Sequence, residues 1–362
     1  MSAKANVTSG EKQNQVCIFI PIKIDTMKKL LILGGGNLMG RLLVEKLIEK
    51  GIYDLTLFNR GRTNAHLFPE VERIIGDRNT DDMTQIFEEF DYWDVIIDFS
   101  SYQPDPLERL IKGLEGKVGR YIYISTVSVY PYESEGVKTE KIAISPCTPE
   151  QRIAEAINGE TYGPKKAECE RILQAANWLD ALIFRPSNVY GQYDYTQRLY
   201  YWLYRAKTQT EFFIPDDGTE LSNFTFVDDM VAILLEAIEI KNHRKVYNTT
   251  THEPNAFLEK MGAMTDLLDT NPTLIPLAKE KWKANEDSLK GGFPCYRGSN
   301  KLSYDHSKLL TDFSVTLTPF RESIKRMIAY HDAHNLWEEG ATGIRVADEQ
   351  AFIKRLNSGK LS

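Results

Sequence analysis

The apolar run KLLIL at residues 29–33 is followed directly by the glycine-rich turn GGGNLMG at residues 34–40. The amphipathic sequence RLLVEKLI at residues 41–48 comes next and has apolar residues at helical spacing. A buried strand that leads through such a turn into a helix can hold the pyrophosphate of a dinucleotide at the helix N-terminus. The alternative is a simple tight turn, so this interpretation depends on the rest of the chain.

Short apolar runs alternate with helical patterns over the first half of the chain. Near-continuous apolar strands are buried on both faces, which requires a parallel sheet with helices on each side. The pattern therefore predicts an α/β fold with a doubly wound parallel sheet of the Rossmann type. The predicted strands are Lys29–Leu33, Leu55–Phe58, Val71–Ile75, Val95–Asp98, Tyr121–Ser125 and Ala181–Phe184, and the predicted helices are Met39–Glu49, Asp81–Phe90, Asp105–Gly113 and Pro164–Ala176.

The alternation ends after Gly191, which predicts a second domain. We expect a dinucleotide-binding domain at 27–190 and a smaller C-terminal domain, mainly for substrate binding, at 191–362. The aromatic-rich segment 192–214 is predicted to be helical, and 223–229 to form a short strand and a loop into a helix at 230–240. Residues 1–26 are polar at their start and are expected to form a disordered extension.

Composition excludes several classes of protein. A formal net charge of -7 disfavours a general nucleic-acid binder, and no apolar run approaches the ~20 residues of a membrane span. The four cysteines are scattered and predict reduced thiols in a cytoplasmic protein. No third ligand is near His331 and His334, so a solvated helix face is predicted there and no metal site.

Tyr162 and Lys166 stand four residues apart in the segment TYGPKK at residues 161–166. At this spacing the two side chains share one face of a helix, and Pro164 is tolerated near a helix start. A tyrosine has an ordinary pKa of ~10, and a nearby ammonium lowers that pKa. The pair therefore predicts a tyrosine that transfers a proton, the alternative being a solvated helix face.

Polar residues and glycines follow the carboxyl ends of the predicted strands. Ligands of doubly wound sheets bind beyond these ends, so we expect the residues there to meet at one site. They are Gly34–Gly40, Asn59, Arg60, Asp77, Arg78, Phe99–Ser101, Ser125, Thr126 and Arg185–Gly191.

Together these motifs resemble those of the extended short-chain dehydrogenase/reductases, the NAD-dependent epimerase/dehydratase group. The resemblance covers roughly residues 27–330, and its motifs keep the order found in the family. After the glycine turn come GD at 76–77, YISTVSVY at 123–130, YGPKK at 162–166, RPSNVYG at 185–191, FTFVDD at 224–229 and YDHSK at 304–308. LFNRG at 57–61 and IDFS at 97–100 look most like an atypical branch that includes the chloroplast stem-loop-binding proteins.

The resemblance implies a nicotinamide cofactor and a catalytic group of Tyr162, Lys166 and Thr126, with Ser125 as the alternative to Thr126. It also implies that Lys166 bonds the nicotinamide ribose and that Asn188 and Tyr190 shape the pocket. The expected cofactor-binding residues are Gly34, Gly36, Asn37, Leu38, Met39, Gly40, Asn59, Arg60, Asp77, Arg78, Phe99, Ser100, Ser101, Ser125, Tyr162, Lys166, Pro186 and Asn188.

One departure from the family pattern lies in the glycine turn, where Asn37 stands at the position of the middle glycine. Because asparagine tolerates a positive φ better than most residues, we expect the turn still to bind a dinucleotide.

The second predicted strand ends in Asn59-Arg60 without a carboxylate. An arginine there accommodates the 2′-phosphate of NADP, so NADP is predicted, with NAD as the alternative.

The sequence thus predicts an NAD(P)-dependent enzyme acting on a hydroxyl or carbonyl of a sugar or nucleotide sugar. Reduction, epimerisation and dehydration all begin with hydride and proton transfer, and the motifs do not separate them. The alternative is a non-catalytic or RNA-binding protein on the same fold, which would have no need to keep Tyr162, Lys166 and Thr126 together. Oligomeric state is left open, a homodimer being one option.

Overall fold

The structure is a computed structural model that describes residues 27–134, 136–241, 244–297 and 301–358. The predicted N-terminal extension, residues 1–26, lies outside the described residues. The strands are β1 Lys28–Leu33, β2 Tyr53–Asn59, β3 Glu72–Ile75, β4 Trp93–Asp98, β5 Val118–Ile124, β6 Ala181–Arg185, β7 Val189–Tyr190, β8 Glu211–Pro215, β9 Leu221–Ser222, β10 Thr225–Phe226, β11 Lys245–Asn248, β12 Asn255–Ala256 and β13 Thr273–Leu277.

The helices flank these strands, and two short 3₁₀ segments at Asp81–Thr84 and Val127–Val129 accompany them. The α-helices are α1 Leu38–Lys50, α2 Gln85–Glu88, α3 Pro104–Gly113, α4 Pro149–Ile153, α5 Tyr162–Ala175, α6 Tyr200–Thr208, α7 Val227–Glu239, α8 Phe257–Leu268, α9 Lys279–Ala284, α10 Ser307–Asp312, α11 Phe320–Ala333 and α12 Val346–Asn357.

A seven-stranded parallel sheet forms the first layer, with the strand order β11-β6-β5-β4-β1-β2-β3. Its interior strand β1 has four fully buried residues, Leu30–Leu33, because helices cover both faces of the sheet. One face packs on α1 and α7, and the other packs on α3 and α5. The predicted doubly wound Rossmann fold is confirmed.

Two segments of the second half differ from their prediction. The segment 192–214 is only partly helical, since α6 is followed by β8. Strand β11 was not predicted, although it completes the sheet by pairing with β6. Strand β11 and helix α7 lie beyond residue 190 but belong to the layer of the parallel sheet, because the chain returns to that layer after β10.

The remaining C-terminal elements build a second core around an aromatic cluster that includes Trp202 and Phe213. A buried ion pair joins this core to the last helix, since Arg205 Nε lies 3.1 Å from a carboxylate oxygen of Glu349.

His331 was predicted to lie on a solvated face, and that prediction is wrong. Its ring is buried and stacks on Tyr200 at a centroid distance of 4.4 Å.

In the part of the chain that the structure describes, the helices are too short or too polar to cross a bilayer.

Candidate active site

The glycine turn joins β1 to α1 at the carboxyl edge of the sheet. Gly34 and Gly35 adopt positive φ angles of 108° and 81°, which residues with a Cβ rarely adopt. A Cβ on Gly40 would lie 2.9 Å from the Cα of Gly35, so only glycine lets the helix approach the turn this closely. Asn37 was expected at positive φ, but its φ is -138°, and Leu38 instead has a φ of 42°.

The N-terminus of α1 lies open toward a cleft of about 360 Å³. Asn37 makes no side-chain bond to the first turn, which also contains no acidic residue. Its side-chain oxygen instead accepts a hydrogen bond from Asn64 Nδ2 at 2.9 Å. The uncapped N–H groups and the positive end of the helix dipole therefore remain available to an anion.

The loop after β2 forms the opposite wall of this cleft. Asn59 donates to the carbonyl of Gly34 at 3.2 Å and accepts from the N–H of Gly61 at 2.9 Å, which holds the loop against the glycine turn. The Arg60 guanidinium is 4.0 Å from the Asp77 carboxylate, and its side chain is 58% exposed. Arg60 can therefore reorient toward a ligand in the cleft without breaking a buried contact.

The structure brings most of the expected cofactor-binding residues together in this one cleft. Ser101 is an exception, because it is fully buried behind the wall that Phe99, Ser100 and Tyr102 form. The expected residues that line the cleft are Gly34, Gly36, Asn37, Leu38, Met39, Gly40, Asn59, Arg60, Asp77, Arg78, Phe99 and Ser100.

A second cleft, of about 490 Å³, adjoins the first one. It holds the rest of the expected residues, which are Ser125, Thr126, Tyr162, Lys166, Pro186 and Asn188. Phe99 and Tyr102 line both clefts. The expected cofactor residues and the expected catalytic group therefore face one continuous space.

Tyr162 is the first residue of α5, and the Thr126 side chain lies close enough to act on its phenol. Thr126 also accepts a hydrogen bond from the N–H of Ser128 at 3.1 Å, so its own proton is free to be donated. Burial raises the pKa of Tyr162, while the Thr126 side chain and the charge of Arg198 lower it. Burial dominates, so the pKa of the phenol is higher than usual.

Lys166 lies one helical turn further along α5, fully inside the protein. Its ammonium donates to the carbonyls of Ile124 at 2.6 Å and Ser101 at 3.0 Å. Burial lowers the pKa of Lys166 to about 8. The sequence predicted that this ammonium lowers the pKa of Tyr162, but the structure directs it to the two carbonyls, and the pKa of Tyr162 is raised by burial.

Ser125, the alternative to Thr126, donates a hydrogen bond from its hydroxyl to a carboxylate oxygen of Glu170 at 2.5 Å. Glu170 is in turn paired with Arg185 at 2.6 Å, and both side chains are buried. This arrangement connects α5 to β6 and leaves Thr126 as the hydroxyl that faces Tyr162.

Tyr190 was expected to shape the pocket, and this expectation is wrong. Its side chain is 1% exposed, and its hydroxyl is hydrogen-bonded to Ser323 Oγ at 2.7 Å. Successive residues of a strand face opposite sides, so Val189 lines the cleft whereas Tyr190 faces the core.

Sequence reasoning missed several residues of the second cleft. Tyr102 has its ring 5.9 Å from that of Tyr162, and its signal was its position just after the end of β4. Tyr195 and Arg198 come from the loop before α6, and Arg198 donates to Asn188 Oδ1 at 3.1 Å. Segments further along, such as 294–297 and Thr342, carry no local signal for this role.

The sequence model of the NAD dependent epimerase/dehydratase family matches residues 107–249. That range contains Thr126, Tyr162, Lys166 and Arg185–Gly191. A search of curated proteins finds no match.

Solved structures with the same fold include several proteins of distant sequence. UDP-glucuronic acid 4-epimerase from Bacillus cereus is 18% identical with a TM-score of 0.64, and the match covers 86% of this chain and 100% of that chain. UDP-glucose 4-epimerase from Thermotoga maritima is 18% identical with a TM-score of 0.65, covering 85% of this chain and 99% of that chain. dTDP-glucose 4,6-dehydratase from Bacillus anthracis is 16% identical with a TM-score of 0.65, covering 86% and 98%.

The likeness to these solved structures extends over 85–86% of this chain, and the family model covers the segment that carries Tyr162 and Lys166. The chain therefore has the fold of the extended short-chain dehydrogenase/reductases, and its resemblance to the NAD-dependent epimerase/dehydratase family is confirmed.

Proposed function

We propose that this protein is an NAD(P)-dependent enzyme that oxidises or reduces one carbon of a sugar or nucleotide sugar, as a reductase or as the first step of epimerisation or dehydration. One observation carries this proposal. Tyr162, Thr126 and Lys166 meet where the cleft at the helix N-terminus joins the second cleft. A protein that only binds a ligand has no physical need for a proton-transfer group at that junction.

The first cleft has the chemistry that a dinucleotide requires. The turn at Gly34 and Gly35 brings bare backbone to the N-terminus of α1, which has neither a side-chain cap nor an acidic residue. Pyrophosphate binds well at such a helix end. The nicotinamide supplies a hydride acceptor or donor at its C4 atom when the cofactor is bound.

The residues of the chain supply the proton and hold the substrate oxygen. Tyr162 donates its phenol proton to the substrate oxygen when the carbonyl is reduced, and the resulting phenolate takes the hydroxyl proton of the substrate in the reverse direction. Thr126 donates a hydrogen bond to the substrate oxygen as negative charge develops there. Lys166 would hold the nicotinamide ribose, as the resemblance implies.

The second cleft suits an anionic substrate. Arg198 and Arg297 line it, and no carboxylate occurs among the described residues of its lining. Guanidinium groups bind phosphate oxygens well, often through two parallel hydrogen bonds. This charge pattern favours a sugar linked to a nucleoside diphosphate over a neutral sugar.

A substrate panel tests the proposed activity. The purified protein with NAD or NADP should convert at least one of UDP-glucose, UDP-glucuronic acid and dTDP-glucose, the compounds in the names of similar structures. Absorbance of the reduced cofactor reports net oxidation or reduction, and chromatography of the sugar products reports epimerisation and dehydration. Tight dinucleotide binding without conversion of any nucleotide sugar in a wider panel would favour the binding-protein alternative.

We further propose that the protein prefers NADP, because Arg60 and Arg62 lie at the rim of the first cleft and Asn59 replaces a carboxylate. Arg60→Ala is expected to weaken NADP binding by about tenfold, the scale of one charge-assisted contact, and to leave NAD binding nearly unchanged. Calorimetric titration of both cofactors with both proteins measures this. Equal or tighter binding of NAD to the unmodified protein contradicts the preference.

A further inference from the structure

The carboxylate of Asp98, at the end of β4, is the centre of a buried hydrogen-bond network. It accepts from the N–H groups of Ser100 at 2.8 Å and Ser101 at 2.9 Å, and from the Tyr121 hydroxyl at 2.5 Å. The Ser101 hydroxyl and an Arg78 guanidinium nitrogen, the latter at 2.9 Å, complete the set. A fully buried carboxylate with this many donors holds its surroundings in one arrangement.

Ser101 is bound from two directions by this arrangement. Its N–H and hydroxyl are held by Asp98, while its carbonyl accepts from Lys166 Nζ at 3.0 Å and from the Tyr123 hydroxyl at 3.0 Å. The orientation of the Ser101 carbonyl therefore depends on Asp98. The direction in which the Lys166 ammonium points depends in turn on that carbonyl.

Arg78 connects the same network to the first cleft. Its guanidinium donates to Asp98 and to Ser100 Oγ at 2.8 Å, and it lies in the lining beside the glycine turn. The Cβ atom of Ser100 is 3.7 Å from the place that a Cβ on Gly34 would occupy. The network thus extends from the turn at the helix N-terminus to Lys166.

We infer that Asp98, neutralised by Arg78, is a positioning residue that places the Lys166 ammonium by orienting the Ser101 carbonyl. The inference rests on the proposed function only in assigning Lys166 to cofactor binding. Asp98 itself lies behind the cleft wall and acts through Ser101.

The charges around Lys166 give the inference a second readout. Burial lowers the pKa of Lys166, Asp98 raises it, and Arg78 lowers it. Removing the charge of Asp98 is therefore expected to lower the pKa of Lys166 further. The other groups that face Lys166 are Cys169, Glu170, Tyr102 and Tyr123.

A matched control exists at the opposite edge of the sheet. Arg120 and Asp180 form an ion pair at 2.9 Å in which both side chains are largely buried, and the pair lies near the amino ends of β5 and β6. Asp180→Asn disturbs a pair of the same chemistry that touches neither cleft. Asp98→Asn and Asp180→Asn should therefore differ in their effects on Lys166, whatever their effects on stability.

The first experiment follows the ε-carbon NMR resonance of Lys166 against pH in protein without ligand, assigned by its loss in Lys166→Met. Asp98→Asn should move the titration midpoint down, while Asp180→Asn should leave it in place. An unchanged midpoint in Asp98→Asn overturns the inference, because the Lys166 ammonium would then be insensitive to the Asp98 carboxylate.

The second experiment is a double-mutant cycle on dinucleotide affinity. Asp98→Asn and Lys166→Met should each weaken binding by about tenfold or more, and the double variant by about as much as the stronger single change. Fully additive losses overturn the inference. If Lys166→Met leaves the affinity unchanged while Asp98→Asn shifts the ε-carbon resonance of the fully protonated Lys166, the positioning role stands and the proposed cofactor contact of Lys166 fails.

Asp98→Asn leaves Arg78 buried without its partner, so it can fail to fold. In that case the paired change Arg78→Gln with Asp98→Asn removes both charges. This paired variant then replaces Asp98→Asn in the double-mutant cycle with Lys166→Met on dinucleotide affinity. Non-additive losses of affinity again support the positioning role, and additive losses overturn it.

Discussion

Tyr162→Phe is expected to lower turnover by at least about 100-fold, the scale of a lost general acid or base, with dinucleotide affinity nearly unchanged. The substitution removes only the phenolic hydroxyl, which lies near Thr126. The ring remains beside Tyr102, so the shape of the cleft is kept while the group that exchanges the proton is lost.

This result is measured as kcat and KM on whichever nucleotide sugar the unmodified protein converts, together with the cofactor Kd. Tyr92→Phe serves as the control, because Tyr92 is an exposed tyrosine just before β4, at the amino edge of the sheet. Retention of full turnover by Tyr162→Phe would refute the proposed proton transfer.

Gly163→Ala is expected to destabilise the fold by about 1–3 kcal/mol, the usual cost of overpacking, and to reduce turnover by about 100-fold through misplacement of the reacting groups. A Cβ at this position would lie 2.2 Å from the carbonyl oxygen of Ser128. That atom is backbone, so α5 itself must move. Tyr162 and Lys166 flank the glycine, and both would shift relative to Thr126.

Thermal unfolding and kinetics of Gly163→Ala test this expectation. Gly159→Ala is the matched control, since a Cβ there meets nothing within 4 Å, and a surface change of this kind stays within about 0.5 kcal/mol. A wild-type Tm for Gly163→Ala would show that α5 does not approach Ser128 as closely as the structure has it.

Much of the first layer was predictable from the sequence because its signals are local. The six predicted strands are all present, and their bounds differ by a few residues at most. A continuous apolar run such as Leu30–Leu33 can be buried only between two layers of helices. The spacing of Tyr162 and Lys166 likewise placed both on one helix, since residues four apart share a helix face.

Other features depend on contacts between distant segments. Strand β11 has four residues, and its place in the sheet comes from its pairing with β6. The lining of the second cleft combines Arg198, Arg297 and Thr342, which no sequence periodicity connects. The burial of Tyr190 depends on which side of β7 faces the C-terminal core.

Neighbouring residues and short-range periodicity were enough to predict six of the seven strands of the sheet, the glycine turn and the catalytic candidates. The contacts of the Lys166 ammonium with the carbonyls of Ser101 and Ile124 depend on the tertiary structure. The same holds for the contacts of the Asp98 carboxylate with Arg78 and Tyr121. A buried charge is stable only where the fold brings hydrogen-bond donors or acceptors to it, and these partners are distant in the sequence.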